Sequence, residues 1–331
     1  MAWFDARDLT VEGRPWDDTA SFWERLPARA KDAVTPAVRR LGANTAGLAV
    51  RFVTDARRVS ADWTTSGFNM THMAATGIRG LDMYIRRAPG AGWEFAAYGK
   101  PGPDARTTQT LGFFMPDLPG EPVECLLYLP LYDSVKELLL GVPEGALMAR
   151  APARPPERAK PIVFYGTSIT QGGCASRAGM CHVALLGRWL DRPVVNWGFS
   201  GSGKMEPVMA DLLAELDPAL YVLECLPNMT HEMVRERVEP FVHRLRQAHP
   251  DTPILLVENP IRPETNQGNV ELRAAWERLQ AARVPHLYYL PGRGQMYGPE
   301  SGTVDGVHPT DLGFYRMATV YEPVLREILG N

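Results

Sequence analysis

The pattern of hydrophobic and polar positions changes near residue 150. Between about residues 48 and 140, short alternating or β-rich runs are separated by turn-forming stretches rich in glycine and proline. Strands are predicted over 48–54, 81–85, 93–98, 107–113 and 122–129. Short strands at this spacing predict a β-sandwich.

Beyond residue 161, apolar runs alternate with amphipathic segments. The apolar runs fall at 162–165, 194–197, 220–224, 254–257 and 286–290, and the clearest helices are predicted over 233–249 and 270–283. This alternation predicts an α/β fold with a parallel sheet and helices on both faces. A proline-rich stretch between the two patterns indicates a stiff linker. We therefore predict a β-sandwich-like domain over 1–150, a linker over 151–160 and an α/β domain over 161–331.

Composition and charge narrow the classes of partner. The chain has 331 residues, of which 45% are hydrophobic and 22% charged, and a formal net charge of −3. Such a balance gives no electrostatic argument for binding nucleic acid or an anionic membrane. The first residues do not resemble a secretory signal, and no uncharged apolar segment is long enough to span a bilayer. We expect a cytoplasmic protein, and the sequence leaves open whether it forms a homo-oligomer.

The four cysteines lack the paired spacing of a disulfide or zinc framework, so buried or incidental thiols are expected. Cys174 and Cys181 follow the first predicted parallel strand, which leaves a catalytic cysteine to be weighed. No histidine lies at metal-ligand spacing, and six of the seven, His72 among them, have no acid placed to orient them. We expect neither a metal nor a cofactor.

The loops after the parallel strands contain the groups needed for acyl transfer. Reactive residues are expected there because helix N-termini converge at the carboxyl ends of the strands. Ser168 could act as nucleophile, His308 as its base, and Asp305 could hold the imidazole in the required tautomer. The N–H groups of Ser168 and Gly201 and the amide of Asn228 could then stabilise the oxyanion.

These residues also have structural interpretations. Ser168 could serve only as a helix N-cap, and Asn228 could only cap the helix that begins near Thr230. Gly201 could simply form a tight turn. The ordered set of chemically matched loop residues favours the functional interpretation over the separate structural ones.

The stretch GFSGSGKM, residues 198–205, also fits the Gly-x₄-Gly-Lys pattern of phosphate-binding loops. That pattern needs a Ser or Thr after the lysine to hold Mg²⁺, and Met205 occupies this position. Nucleotide binding through Gly198 to Lys204 is therefore the weaker alternative.

Four stretches resemble, in order, the four blocks of the SGNH (GDSL-type) hydrolase superfamily. They are Gly166-Thr-Ser-Ile-Thr, Asn196-Trp-Gly-Phe-Ser-Gly201, Pro227-Asn228 and Asp305-Gly-Val-His308. By this resemblance Ser168 is the catalytic serine, Gly201 and Asn228 are oxyanion donors, and Asp305 and His308 are the Asp-x-x-His pair.

The resemblance extends to the first half of the chain. Gly80-Leu-Asp-Met-Tyr84 is similar to the Gly-x-Asp-Leu-Tyr motif of the β-rich domain that precedes one branch of these hydrolases. Thr167 stands where the usual first block has Asp, and residues 226–229 are Leu-Pro-Asn-Met in place of Gly-x-Asn-Asp. Both variants resemble the branch that carries the extra domain.

The resemblance implies a flavodoxin-like, three-layer α/β/α domain with a five-stranded parallel sheet, preceded by a jelly-roll-like β-sandwich. It implies a serine esterase without cofactor that cleaves a short acyl group, acetyl above others, from a small-molecule or saccharide ester. A non-catalytic glycan-binding protein on the same scaffold is the alternative. Further candidates for substrate binding are Thr167, Arg177, Met205, Met229, Asp82 and Tyr84, the last two having a role in the fold as their first interpretation.

Overall fold

The first half of the chain forms two packed antiparallel sheets. The computed structural model describes residues 1–111, 121–294, 296 and 302–330. The strands of this half are β1 (Ala2–Asp5), β2 (Thr10–Glu12), β3 (Ala49–Thr54), β4 (Val59–Thr65), β5 (Leu81–Arg86), β6 (Glu94–Gly99), β7 (Arg106–Leu111), β8 (Val123–Tyr128), β9 (Val135–Val142) and β10 (Ala149–Arg150). One sheet has the order β1-β9-β4-β7, and the other has the order β10-β3-β8-β5-β6 with β2 paired to β3.

The core of the sandwich lies between these sheets. Phe52 and Leu127 from one sheet pack with Trp63 and Leu138 from the other. The predicted β-sandwich is confirmed, although β4 and β9 were not among the predicted strands. Positions 112 and 113 of the predicted strand 107–113 lie outside the described residues.

The second half contains a five-stranded parallel sheet. Its strands are β11 (Ile162–Gly166), β12 (Val194–Gly198), β13 (Leu220–Glu224), β14 (Ile254–Val257) and β15 (Leu287–Leu290), in the order β12-β11-β13-β14-β15. This is the flavodoxin-like order, and all four strand pairings are parallel. The predicted three-layer α/β/α domain is therefore confirmed.

Helices cover both faces of the sheet. The helices of the chain are α1 (Pro36–Gly42), α2 (Ala75–Ile78), α3 (Pro156–Ala159), α4 (Ser168–Gln171), α5 (His182–Trp189), α6 (Pro207–Leu213), α7 (His231–Ala248), α8 (Gln267–Ala281) and α9 (Asp311–Leu329). Within β11, Ile162 and Phe164 pack toward α5 and α9, whereas Val163 and Tyr165 pack toward α6, α7 and α8. Burial on both faces explains why the strands appear in the sequence as uninterrupted apolar runs.

The segment between β2 and β3 packs against the parallel sheet as well as the sandwich. Trp16, Leu26 and Val38 belong to the core on the α6–α8 face, and the Trp16 ring lies 5.0 Å from that of Trp197 in β12. The predicted linker also contacts both halves of the chain. Its Arg154 donates hydrogen bonds to Glu12 in β2 and to Asp191 after α5. The division into domains stays a prediction, and residues of the first 150 contribute to the core of the second part.

Two further expectations concern membranes and thiols. None of the helices in the described ranges combines the length and apolarity needed to cross a bilayer. All four cysteines are free and buried.

Candidate active site

The nucleophile candidate sits at the first residue of a short helix after the central strand. Thr167 is the N-cap of α4, because its side chain accepts the N–H of Ile169 at 3.2 Å. The Thr167 N–H in turn donates to Oγ1 of Thr170 at 3.0 Å. Ser168 is therefore not the cap, and its Oγ is available for chemistry. Thr167 is fully buried, with its hydroxyl engaged in capping.

Ser168, His308 and Asp305 form a continuous chain of hydrogen bonds. Ser168 Oγ lies 2.9 Å from His308 Nε2, and His308 Nδ1 lies 2.7 Å from Asp305 Oδ2. The other Asp305 oxygen accepts the backbone N–H groups of Val307 at 3.0 Å and His308 at 2.8 Å. The Asp-x-x-His spacing thus produces a turn in which the carboxylate orients both the backbone and the ring of His308.

The protonation state of Asp305 fixes the tautomer of the histidine. Burial opposes ionisation of Asp305, but the hydrogen bonds from His308 and Val307 outweigh it and lower the pKa of the carboxyl to about 2. An ionised carboxylate can only accept, so Nδ1 of His308 carries the proton. Nε2 then presents its lone pair to Ser168, as a general base must.

Candidate oxyanion donors lie at the start of α4 and in the loops after β12 and β13. The N–H of Ser168 lies in the first turn of the helix, where there is no intrahelical acceptor. Gly201 has a φ of 67°, and no described atom lies within 4 Å of where a Cβ would stand, so its backbone faces open space. Asn228 donates one amide hydrogen to the Phe199 carbonyl at 3.2 Å and keeps a second for a ligand.

The interpretation of Asn228 as a helix cap is wrong. Thr230 is the N-cap of α7 and accepts the N–H of Met233 at 3.3 Å. Asn228 instead ends the short 3₁₀ turn after β13 and bonds to the loop after β12. These contacts connect the second and third of the four sequence blocks.

Two residues that the sequence analysis did not identify hold the loop after β12. Gln171 of α4 accepts the Ser200 N–H at 3.1 Å through Oε1. Arg25, fully buried, donates to the carbonyls of Asn196 at 2.8 Å and Gly198 at 2.9 Å, and its guanidinium lies 4.9 Å from the centre of the Phe199 ring. Neither residue belongs to a motif. Arg25 also donates to the carbonyls of Leu41 and Asn44, so it joins the segment before β3 to backbone atoms of β12 far along the chain.

Arg25→Met is expected to reduce both stability and turnover. Burial lowers the pKa of Arg25 to about 9, so the side chain remains a cation at neutral pH. The substitution leaves buried carbonyls without donors, at a cost of about 3–5 kcal/mol in the free energy of unfolding. Urea unfolding and ester turnover measure the two effects. Arg29→Met, which removes an exposed guanidinium paired at the surface with Asp18, is the control, and equal stability of the two variants would contradict this role.

Both halves of the chain match family profiles. Residues 159–326 match the GDSL-like lipase/acylhydrolase family, and residues 1–148 match the GxDLY family, the N-terminus of SGNH-hydrolase-type esterases. The chain belongs to the GDSL-like lipase/acylhydrolase family. No curated protein shows significant similarity to it.

Solved structures resemble this GDSL-like hydrolase over its full length. A GDSL-like lipase from Bacteroides ovatus is 34% identical with a TM-score of 0.90, covering 99% of this chain and 98% of the other. A salicylyl-acyltransferase from a tetracycline biosynthetic pathway is 20% identical with a TM-score of 0.78, covering 99% and 97%. An acetyl xylan esterase from the rumen bacterium Butyrivibrio proteoclasticus is 13% identical with a TM-score of 0.60, covering 100% of both chains. At their low identity the last two show the fold alone.

The Gly-x-Asp-x-Tyr motif of the hydrolase joins the sandwich to the segment after α4. Asp82 is fully buried and accepts hydrogen bonds from Nη1 of Arg177 at 3.1 Å and from the Gly179 N–H at 2.8 Å. Tyr84 donates to the same carboxylate at 3.4 Å. The Arg177 guanidinium also lies 3.9 Å from the centre of the Phe95 ring. These three candidates therefore meet one another at an interface between β5 and the loop that follows the nucleophile helix.

Asp82→Asn is expected to change the pH dependence of stability. Burial raises the pKa of Asp82 from 3.8 to about 6, although Arg177 and the Gly179 N–H oppose this rise. The folded protein thus binds this proton more tightly than the unfolded chain does. The wild-type protein therefore loses stability as the pH rises from about 4 to about 6. Over this rise in pH, the free energy of unfolding of wild type should fall by about 3 kcal/mol relative to that of Asp82→Asn, because the pKa shift is about two units.

Thermal or urea unfolding of both proteins from pH 4 to 7 measures this difference. Asp62→Asn is the matched control: Arg106 lowers the pKa of Asp62 from 3.8, so the contribution of Asp62 to stability is lost only as the pH falls towards and below that value and should stay nearly constant over most of this range. A stability difference between wild type and Asp82→Asn that does not change with pH would contradict the assignment.

The two methionine candidates lie in the loops after β12 and β13. Met205 is only 1% exposed, has a φ of 52° and packs in the apolar core beside Tyr165. Met229 is partly buried against the same core. The side chain of Met205, within the loop after β12, thus points into the core, and a contact of either methionine with substrate stays a prediction.

The structure does not support the catalytic cysteine or the nucleotide loop. Burial raises the thiol pKa of both Cys174 and Cys181 to about 11, so neither is a thiolate at neutral pH. In the GFSGSGKM stretch no helix begins at Lys204. Helix α6 begins at Pro207, and the carboxylate of Glu206 accepts the Lys204 N–H at 3.3 Å. A carboxylate at this helix N-terminus would repel a phosphate.

Proposed function

We propose that this hydrolase is a serine esterase in which Ser168, His308 and Asp305 act as the catalytic triad. The observation that carries the proposal is the pair of hydrogen bonds, 2.9 Å and 2.7 Å long, that joins the three side chains. His308 takes the Ser168 proton as Oγ attacks the ester carbonyl, and it returns that proton to the leaving alcohol. Water then attacks the acyl-enzyme with His308 again as base, which releases the acid and regenerates Ser168.

The oxyanion of each tetrahedral intermediate would be held by fixed donors. The Ser168 and Gly201 N–H groups and the second amide hydrogen of Asn228 are the candidates. Gln171 and Arg25 are positioning residues in this scheme, because from buried positions they fix the end of β12 and the loop that follows it. Such preorganisation matters because donors that are already oriented need no rearrangement as charge develops.

We further propose that the substrate is a short acyl ester, acetyl above others, on a carbohydrate. Support comes from solved structures of the same fold described as an acetyl xylan esterase and as family two carbohydrate esterases. The test is a panel of p-nitrophenyl esters from acetyl to octanoyl, together with acetylated and deacetylated oligosaccharides.

Turnover should fall at least ~10-fold from the acetyl to the octanoyl ester, since an acyl pocket that fits an acetyl group would exclude a longer chain from the reactive position. Acetate release from acetylated saccharides should exceed that from acetyl esters of simple alcohols. A preference for octanoyl esters would contradict the acyl assignment. Equal rates on saccharide and simple alcohol esters would contradict the carbohydrate assignment.

A further inference from the structure

Three potential metal ligands meet beside the proposed base. His72, Cys174 and His308 each offer one ligand atom, and these atoms lie within 4.8 Å of one another. The rings of His72 and His308 have centroids 5.8 Å apart, and Sγ of Cys174 donates to the His72 carbonyl at 3.4 Å. The spacing in sequence gives no indication of this cluster, since its members come from the sandwich, the turn after α4 and the loop before α9.

The surrounding structure holds each member in place. Cys174 has a φ of 75°, a conformation that non-glycine residues seldom adopt and that persists only where neighbours enforce it. The segment that leads to His72 is held by Asp133, which is fully buried and accepts the N–H groups of Gly67 at 3.0 Å and Phe68 at 2.9 Å. His72 itself is exposed, so a solvated ion can reach the cluster.

We propose that Zn²⁺ binds to His72, Cys174 and His308 and thereby inhibits the esterase reversibly. The donor set is one sulfur and two imidazole nitrogens, which suits Zn²⁺ and not the oxygen-seeking Mg²⁺ or Ca²⁺. Three protein ligands leave the fourth tetrahedral position for water or for Oγ of Ser168.

The inhibition follows from the geometry around His308. Its Nδ1 is occupied by Asp305 Oδ2 at 2.7 Å, so only Nε2 is open to a metal. That nitrogen is also the one that takes the proton of Ser168. A bound ion therefore removes the base without any change in the fold. Coordination deprotonates the Cys174 thiol, and its proton passes to solvent.

Zinc titration of ester hydrolysis tests the inhibitory half of the proposal, which rests on the proposed function. The variants are His72→Ala and Cys174→Ser, and the control is His243→Ala, which removes an exposed imidazole from α7. Zn²⁺ should inhibit wild type and the control equally, EDTA should restore activity, and Mg²⁺ should have no effect. The inhibition constant should rise at least ~10-fold in each ligand variant. Equal zinc sensitivity of wild type and both ligand variants would overturn the proposal.

Direct binding tests the site independently of turnover. Ser168→Ala, which should not hydrolyse the ester, is titrated with Zn²⁺ in competition with a chromophoric chelator. The result is compared with Ser168→Ala carrying Cys174→Ser, after circular dichroism has shown that both are folded. The first protein should bind one equivalent more than the second, and equal binding would overturn the site. If wild type hydrolyses no ester, the proposed function fails, whereas the difference between these two proteins still decides whether the site exists.

Discussion

Ser168→Ala is expected to lower kcat by at least ~10³-fold with no loss of folded structure. The change removes only Oγ, the atom that lies 2.9 Å from His308 Nε2 and would form the acyl-enzyme bond. Helix α4 should be unaffected, because its cap is the side chain of Thr167. Turnover of p-nitrophenyl acetate and the far-ultraviolet circular dichroism spectrum are the measurements.

Covalent labelling distinguishes this mechanism from a non-catalytic glycan-binding protein. A fluorophosphonate reacts only with an activated serine, so wild type should be labelled and Ser168→Ala should not. Ser21→Ala, at an exposed position, is the control and should be labelled like wild type. A binding protein would show no labelling in any of the three. Near-normal ester turnover by Ser168→Ala would rule out this serine as the nucleophile.

Asn228→Ala is expected to lower kcat by about 10²- to 10³-fold with little change in KM. In the proposed mechanism the second amide hydrogen acts mainly when the carbonyl oxygen becomes an oxyanion, so its loss affects the transition state more than the bound ester. Steady-state kinetics with an acetyl ester separate the two constants.

A second substitution at the same position tests the sign of the interaction. Asn228→Asp keeps the size of the side chain but replaces both amide N–H donors with a carboxylate that repels an oxyanion. The fall in kcat should therefore be at least as large as in Asn228→Ala. A kcat within about threefold of wild type in the alanine variant would exclude Asn228 from the oxyanion hole. Retained turnover in the aspartate variant alone would show that the residue acts only as a spacer.

The sequence predicted the parallel sheet better than the sandwich. Strands β13 and β14 match their predicted bounds, because strands buried on both faces are apolar throughout. Strand β4 was not predicted, although Val59, Ala61 and Trp63 alternate with polar residues as in a half-buried strand, and β9 was missed because its Leu138-Leu-Leu140 run lies beside charged residues. Both are inner strands of the order β1-β9-β4-β7, where pairing with two neighbouring strands decides the structure more than the local pattern does.

The candidate site also contains some residues that the sequence could predict and others that it could not. Ser168 and the Asp305–His308 pair could be predicted, since each lies in a short loop whose position follows from the sheet. Arg25 and His72 could not, because their significance comes from contacts with atoms about a hundred or more residues away. A lone buried arginine and a lone exposed histidine have no local pattern that distinguishes them.

The contacts of Arg25 also set an order of events during synthesis. Its acceptor on Asn196 is 171 residues later in the chain, which at about 5–20 residues per second emerges roughly 10–35 s after Arg25 itself. The segment that carries Arg25 therefore leaves the ribosome before β12 exists, and β-sandwich formation alone leaves Arg25 without its acceptors on Asn196 and Gly198. We expect nascent chains arrested before β12 to expose this segment to chaperones and proteases, so that folding of the two halves is completed together and late.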